Sequence, residues 1–280
     1  MTLVTKSRWL TATALLGLAP LLWGCDDESG AATTTGSTTS GTGGGGGTGG
    51  TAAGGSGGLG GAGGLGGAGG SGGPSVPLDG FGTIGGDCGL IDPAMLASAQ
   101  PSSLESSLDF GTAPFDYAAL SAGGQEVYDD GNLGGNSLHS EIFAYEVLYR
   151  CELAELLKTE GEVSYQDPNG KKTDLLVEID GQQVGVSVTR AVSYPPENPY
   201  PVTQAESLLS DKLSDVLLST ANVSPADAWT KQILLIMAYG DDHADAIEQA
   251  YGQLDEGTRA DTIVLVTVTH GEDDFIYFTP

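Results

Sequence analysis

A run of 44 residues, Gly30 to Gly73, holds 24 of the chain's 45 glycines and no charged residue. Such a segment has almost no side chain to bury, so nothing offsets the conformational entropy lost on ordering it. The composition predicts a flexible tether, whose r.m.s. span at this length is about 40 Å. Two patterns inside the tract are incidental. Gly58-Leu59-Gly60-Gly61-Ala62-Gly63 matches GxGxxG but lacks the strand before it and the helix after it that would give the pattern a phosphate to hold. The three-residue glycine period between residues 57 and 73 contains no proline, so a collagen-like triple helix is not expected. A core must form after the tract, and about 200 residues, Gly80 to Pro280, are enough for one ordinary domain.

Ahead of the tract, Met1 to Arg8 carries Lys6 and Arg8 without an acid, and Trp9 to Trp23 is apolar with one proline. The run is short for a membrane span and reads as a signal peptide over residues 1–24. Leu21-Leu22-Trp23-Gly24-Cys25 resembles the lipobox of bacterial lipoproteins. That resemblance implies that Cys25 is lipidated and anchors the protein to a membrane. It also implies a place in the bacterial cell envelope, on the periplasmic or surface face. Residues 25–79 are then the lipidated cysteine and its Gly/Ser/Thr-rich linker. Only Cys25, Cys88 and Cys151 are present. With Cys25 lipidated, Cys88 and Cys151 are left either to pair in an oxidising compartment or to be buried as two separate thiols. One cysteine pair and no CxxC argue against a structural zinc site.

Charge narrows the function classes. No Lys or Arg lies between Arg8 and Arg150, and from Arg150 onward 8 basic and 23 acidic residues leave a net −15. This balance excludes a basic protein that coats nucleic acid and argues against nucleic acid as a general ligand.

Regular patterns begin late. Residues 80–136 mix short apolar pieces with Gly, Ser, Pro and Asp and read as a loop-rich N-terminal arm. From Ser137, an expected N-cap, Leu138, Ile142, Tyr145, Tyr149, Leu153 and Leu156 recur at helical spacing, which predicts a helix to about Lys158. Strands are expected at Val163–Gln166, Thr173–Ile179 and Val184–Val192, the last two joined by a tight turn at Asp180-Gly181. Thr203-Gln204-Ala205-Glu206 has the form of a capping box opening a helix to about Ser219. A buried strand over Lys231–Tyr239, a helix from Asp241-Asp242 to Leu254, a buried strand over Thr262–Thr269 and an edge strand over Phe275–Phe278 complete the reading. The expected fold is α/β, over residues 137–280, with a mixed sheet covered by helices.

Several residues carry chemistry. On the helix over residues 203–219, Lys212 falls inside the arc marked by Ala205, Leu208, Leu209 and Val216, where an ammonium calls for an anion unless it snorkels outward. Strand alternation puts Ser187 and Thr189 on the face opposite Val184, Val186 and Val188. With Asp174 in the neighbouring strand and Glu141 on the first helix, these residues can converge. A carboxylate pair there, Asp174 with Glu141, can hold a divalent metal through oxygen, with Lys212 near a phosphate or a water. The alternative is an Asp174–Lys212 ion pair that fixes packing. Asp241, Asp242, His243 and Asp245 are a weaker metal candidate, since acids in a helix's first turn favour its dipole, and Glu272-Asp273-Asp274 is a weak candidate for calcium.

The αβββαβ order, Asp174 at the start of the second strand and Gly185-Val186-Ser187-Val188-Thr189-Arg190-Ala191 on the third resemble the PD-(D/E)xK restriction-endonuclease-like superfamily, over about residues 137–239. The resemblance implies a restriction-endonuclease-like core in which Asp174 is the metal-binding acid. Ser187 stands where the second acid is expected and Thr189 where the lysine is. Lys212 matches the relocated lysine of some members, and Glu141 the acid many carry on the first helix. Two functions follow. The missing acid and the negative charge favour a non-catalytic nuclease-like domain serving as a tethered envelope or interaction module, its protein partner left open. The alternative is a metal-dependent phosphodiesterase or nuclease that uses Asp174 and Lys212 with Mg²⁺ or Mn²⁺.

Overall fold

The computed structural model describes residues 75–133 and 135–278. The signal peptide, Cys25 and the glycine tract lie outside these residues. In chain order the elements are β1 (Val76–Pro77), β2 (Thr83–Gly86), α1 (Pro93–Leu96), β3 (Ser102–Asp109), α2 (Ala122–Asp130), α3 (Leu138–Glu152), β4 (Glu155–Thr159) and β5 (Leu175–Ile179). They continue with β6 (Gln182–Ala191), α4 (Val202–Asn222), β7 (Lys231–Ala238), α5 (Asp241–Gln253), α6 (Glu256–Arg259), β8 (Ile263–His270) and α7 (Asp274–Tyr277). The fold is α/β, built on one eight-stranded mixed sheet in the order β1-β2-β3-β8-β7-β6-β5-β4.

Strands β4, β5 and β6 form an antiparallel meander. Its second turn is made by Asp180 (φ 50°) and Gly181 (φ 73°), the two left-handed residues that a two-residue hairpin loop requires. Strands β6, β7, β8 and β3 are mutually parallel, and helices α4 and α5 make the crossovers between β6, β7 and β8. All eight residues of β7 are buried, as are the first seven of β8, which is why both read as nearly unbroken apolar runs. One core lies between the sheet and α3, around Phe143, Leu148, Val186 and Leu235. The other lies between the sheet and the pair α4 and α5, around Leu209, Leu213, Leu234 and Ile247.

Five sequence expectations are corrected. The stretch read as a loop-rich arm over residues 80–136 supplies β2, β3 and two helices, and β3 pairs along its whole length with β8. Its Ser-rich sequence hides the strand, because small hydroxyls such as Ser106 face Thr267 in the interior at 2.9 Å. The helix from Leu138 stops at Glu152, where Leu153 takes a left-handed conformation (φ 53°). The first meander strand is therefore Glu155–Thr159, and Val163–Gln166 contributes one isolated bridge, Tyr165 to Val223. Helix α4 is preceded by Pro201, with no side-chain cap, so the capping box at Thr203 is not formed. Phe275–Phe278 belongs largely to the short helix α7 rather than to an edge strand. Cys88 and Cys151 form a disulfide, which ties the segment before α1 to the end of α3.

Candidate functional site

Glu141, Glu160 and Asp174 place carboxylate oxygens within 4.8 Å of one another. Each acid comes from a different part of the frame. Glu141 lies in the first turn of α3, Glu160 follows the last residue of β4, and Asp174 precedes the first residue of β5. The meander and α3 thus converge on one point at the end of the sheet.

The local structure holds each carboxylate. Glu141 is buried, and its Oε1 accepts from Ser137 Oγ at 2.7 Å and Asn132 Nδ2 at 3.2 Å. The Ser137 hydroxyl, expected to cap the helix, bonds this side chain instead. Glu160 Oε2 accepts from the Leu133 amide at 2.8 Å, so the segment between α2 and α3 holds two of the three acids. At Asp174 the backbone N–H still donates to Val186 O at 3.0 Å. Its Oδ2 accepts from the Val188 amide at 2.6 Å, so the side chain extends the β5–β6 ladder past the end of the strand.

Electrostatics follow from this crowding. Burial pushes the Asp174 carboxyl up to about 8, with Glu141 and Glu160 adding to the rise, while the Val188 amide and Lys212 oppose it. Burial also raises Glu141, reinforced by Glu160 and opposed by Ser137, Asn132 and Arg190. Crowding carboxylates in one partly buried space favours keeping a proton among them unless a cation compensates the charge.

Lys212 is partly buried and acts on Asp174 through its charge. Among the described residues it makes no ion pair, so the packing salt bridge with Asp174 is not formed. Ser187 does not join the acids. Its hydroxyl bonds Thr173 Oγ1 and Gln232 Nε2, each at 3.3 Å, in a network that also contains Ser219. Thr189 lines a separate cavity with Arg190. Of the expected set, Glu141 and Asp174 are brought together, Lys212 acts on Asp174 only through its charge, and Ser187 and Thr189 stand apart.

Glu160 is not among the residues expected from the sequence. A helix running to about Lys158 gives it no place beside Asp174, whereas a strand over Glu155–Thr159 puts it at the mouth of the meander. The weaker candidates are occupied elsewhere. His243 is buried between Tyr200, whose ring centroid is 4.9 Å away, and Tyr239, at 5.8 Å. Asp241 lies 3.6 Å from His270, and Asp273 is buried and bonded to Thr269. Glu152, at the end of α3, accepts from the amides of Gly89 and Ile91, both at 2.9 Å, a structural role. Of the basic residues outside the site, Lys171 pairs with Asp215 and Lys172 lies over Tyr165.

No family model matches the chain, and no solved structure matches it. Among curated proteins it is similar to the AAC-rich mRNA clone AAC4 protein of Dictyostelium discoideum, with 37% identity over 161 residues. That match covers 55% of this chain and 23% of the relative, so the chain spans less than a quarter of that protein's length.

Proposed function

We propose that this domain is a divergent member of the restriction-endonuclease-like superfamily that hydrolyses phosphodiesters with a divalent cation held by Glu141, Glu160 and Asp174. The observation that carries the reading is Glu160, which from the turn after β4 supplies an acid in place of the one missing at Ser187. The order α3-β4-β5-β6-α4-β7, an antiparallel meander followed by a parallel fourth strand, supports the same assignment.

The donor set fits a hard cation. All three ligands are carboxylate oxygens, as Mg²⁺ and Mn²⁺ prefer, and the raised proton affinities of Asp174 and Glu141 mark a site short of positive charge. When bound, such an ion acts as a Lewis acid and lowers the pKa of a bound water. The chain's own residues do the rest. Asn132, Ser137 and the amides of Leu133 and Val188 orient the carboxylates, and Lys212 brings a second positive charge to the Asp174 side, suited to a phosphate oxygen. Hydrolysis adds water across the P–O bond, with the proton passing to the leaving oxygen.

The second reading, a non-catalytic envelope or interaction module on the same fold, is favoured by the −15 balance of residues 150–280. In both readings the protein is exported and tethered by lipid at Cys25. The Cys88–Cys151 bridge supports an oxidising compartment, and among the described residues no helix is long and apolar enough to cross a membrane. Calorimetry with Mn²⁺ and cleavage of a bis-aryl phosphodiester by the purified chain separate the two readings. One bound Mn²⁺ and turnover, both lost in Glu160→Gln, are expected. Binding without turnover selects the second reading, and no binding removes the first. Incorporation of a palmitate analogue that disappears in Cys25→Ser tests the tether.

A further inference from the structure

A cavity of about 540 Å³ is lined in part by Thr189, Arg190, Ser193, Tyr194, Tyr277 and Phe278. Arg190 links it to the acid cluster through its charge, which acts on Glu141. The volume falls in the range of about 300–1,000 Å³ usual for small-molecule sites.

Arg190 is the unusual wall. Its Nη1 donates to the carbonyls of Asn136, Ile276 and Tyr277 at 3.0, 3.1 and 3.2 Å. These contacts fix the plane of the guanidinium. Among the described residues its Nη2 and Nε have no partner, and it makes no ion pair. In a stretch with 23 acidic and 8 basic residues, a half-buried guanidinium that feels Glu141 only at a distance and makes no ion pair has an edge open to an anion, and its planar fork matches a phosphate. Thr189 adds a hydroxyl with no hydrogen bond among the described residues. At the rim Tyr194 is 88% exposed, a ring presented to solvent, and Tyr277 and Phe278 form an aromatic wall.

We propose that this cavity is the substrate subsite of the phosphodiesterase and takes one nucleotide, its phosphate on the free edge of Arg190 and its base on the ring of Tyr194. The inference rests on the hydrolytic reading and narrows it. With a single cation in an acidic surround, the site accepts an unpaired terminal nucleotide or a dinucleotide and turns away duplexes, whose many phosphates need many cations. Stacking on an aromatic ring tolerates any base, so base identity is not read.

The test is titration of the full chain with 5′-AMP, inorganic phosphate and the 5′-phosphorylated dinucleotide pApA, in EDTA, followed by pApA hydrolysis in Mn²⁺. Saturable one-to-one binding of 5′-AMP is expected, at least tenfold tighter than inorganic phosphate. Arg190→Gln and Tyr194→Ala should each weaken it at least tenfold. Asp174→Asn should keep 5′-AMP binding in EDTA while losing Mn²⁺. Because Arg190 also ties three carbonyls, Tyr194→Ala, at an exposed ring, decides the matter if Arg190→Gln fails to fold. Unchanged affinity in Tyr194→Ala, or inorganic phosphate binding as tightly as 5′-AMP, overturns the subsite. Binding of 5′-AMP with these losses but without pApA hydrolysis supports the subsite and removes the phosphodiesterase reading. Hydrolysis without 5′-AMP affinity does the reverse.

Discussion

Asp174 concentrates the electrostatics of the molecule in one side chain. Its folded carboxyl titrates at about 8, raised by burial and by Glu141 and Glu160, while an unfolded aspartate titrates near 4. A group raised in this way contributes stability that is fully present below the unfolded value and is lost as pH rises through the folded one. In EDTA the melting temperature should therefore fall between about pH 4 and pH 8. The corresponding loss is of the order of a few kcal/mol, since each unit is worth about 1.4 kcal/mol. Saturating Mn²⁺ should flatten the fall, as should Asp174→Asn. Thermal melts of the wild type and of this variant, at matched pH, isolate the contribution of the cluster. A wild-type profile parallel to that of the variant would show that the acids are already compensated. In the sequence, Asp174 and Glu141 were legible because each sits where a strand or helix begins. Glu160 was not, because its position depends on which period Leu153 to Leu157 obeys, and a short apolar run fits both.

At the scale of elements, the boundary between α3 and β4 rests on Leu153, which is 80% exposed and left-handed. Gly or Asn commonly marks such a stop, and a leucine gives no signal. The β5–β6 hairpin is the opposite case. Asp180-Gly181 announces the turn, and strand alternation then sets the faces, with Ser187 toward Gln232 and Val186 toward α3. Gly185 in β6 has a packing reason that alternation does not give. A Cβ there would meet Trp229 Cδ2 at 2.8 Å and Cε2 at 2.9 Å. The indole cannot swing away freely, since its Nε1 donates to Thr220 Oγ1 at 3.0 Å. Gly185→Val should cost about 1–3 kcal/mol, the usual range for overpacking, measured as a lowered urea midpoint with unchanged slope.

At the scale of the whole molecule, the sheet continues past the domain start expected at Ser137. Strand β3 pairs with β8 from Ser102↔Ile263 to Asp109↔His270, and the buried Lys231 at the start of β7 donates to Ser98 O at 2.6 Å. A fragment of residues 137–280 would expose the β8 edge and leave the Lys231 ammonium without its carbonyl. It should lack a cooperative melt, whereas residues 75–280 should unfold in a single transition. Circular dichroism of the two fragments distinguishes these outcomes, and cooperative folding of the shorter one would make β1–β3 an accessory layer. The sequence by itself determined the glycine tract, the acidic balance, the buried strands β7 and β8, and the α/β class. Each of these follows from local composition or from a period that only one element fits. Only the tertiary structure decided that a Ser-rich stretch is a central strand, that Glu160 joins Glu141 and Asp174, and that Arg190 faces a cavity without an acid. Those facts depend on pairings between residues far apart in the chain, and no local pattern carries that information.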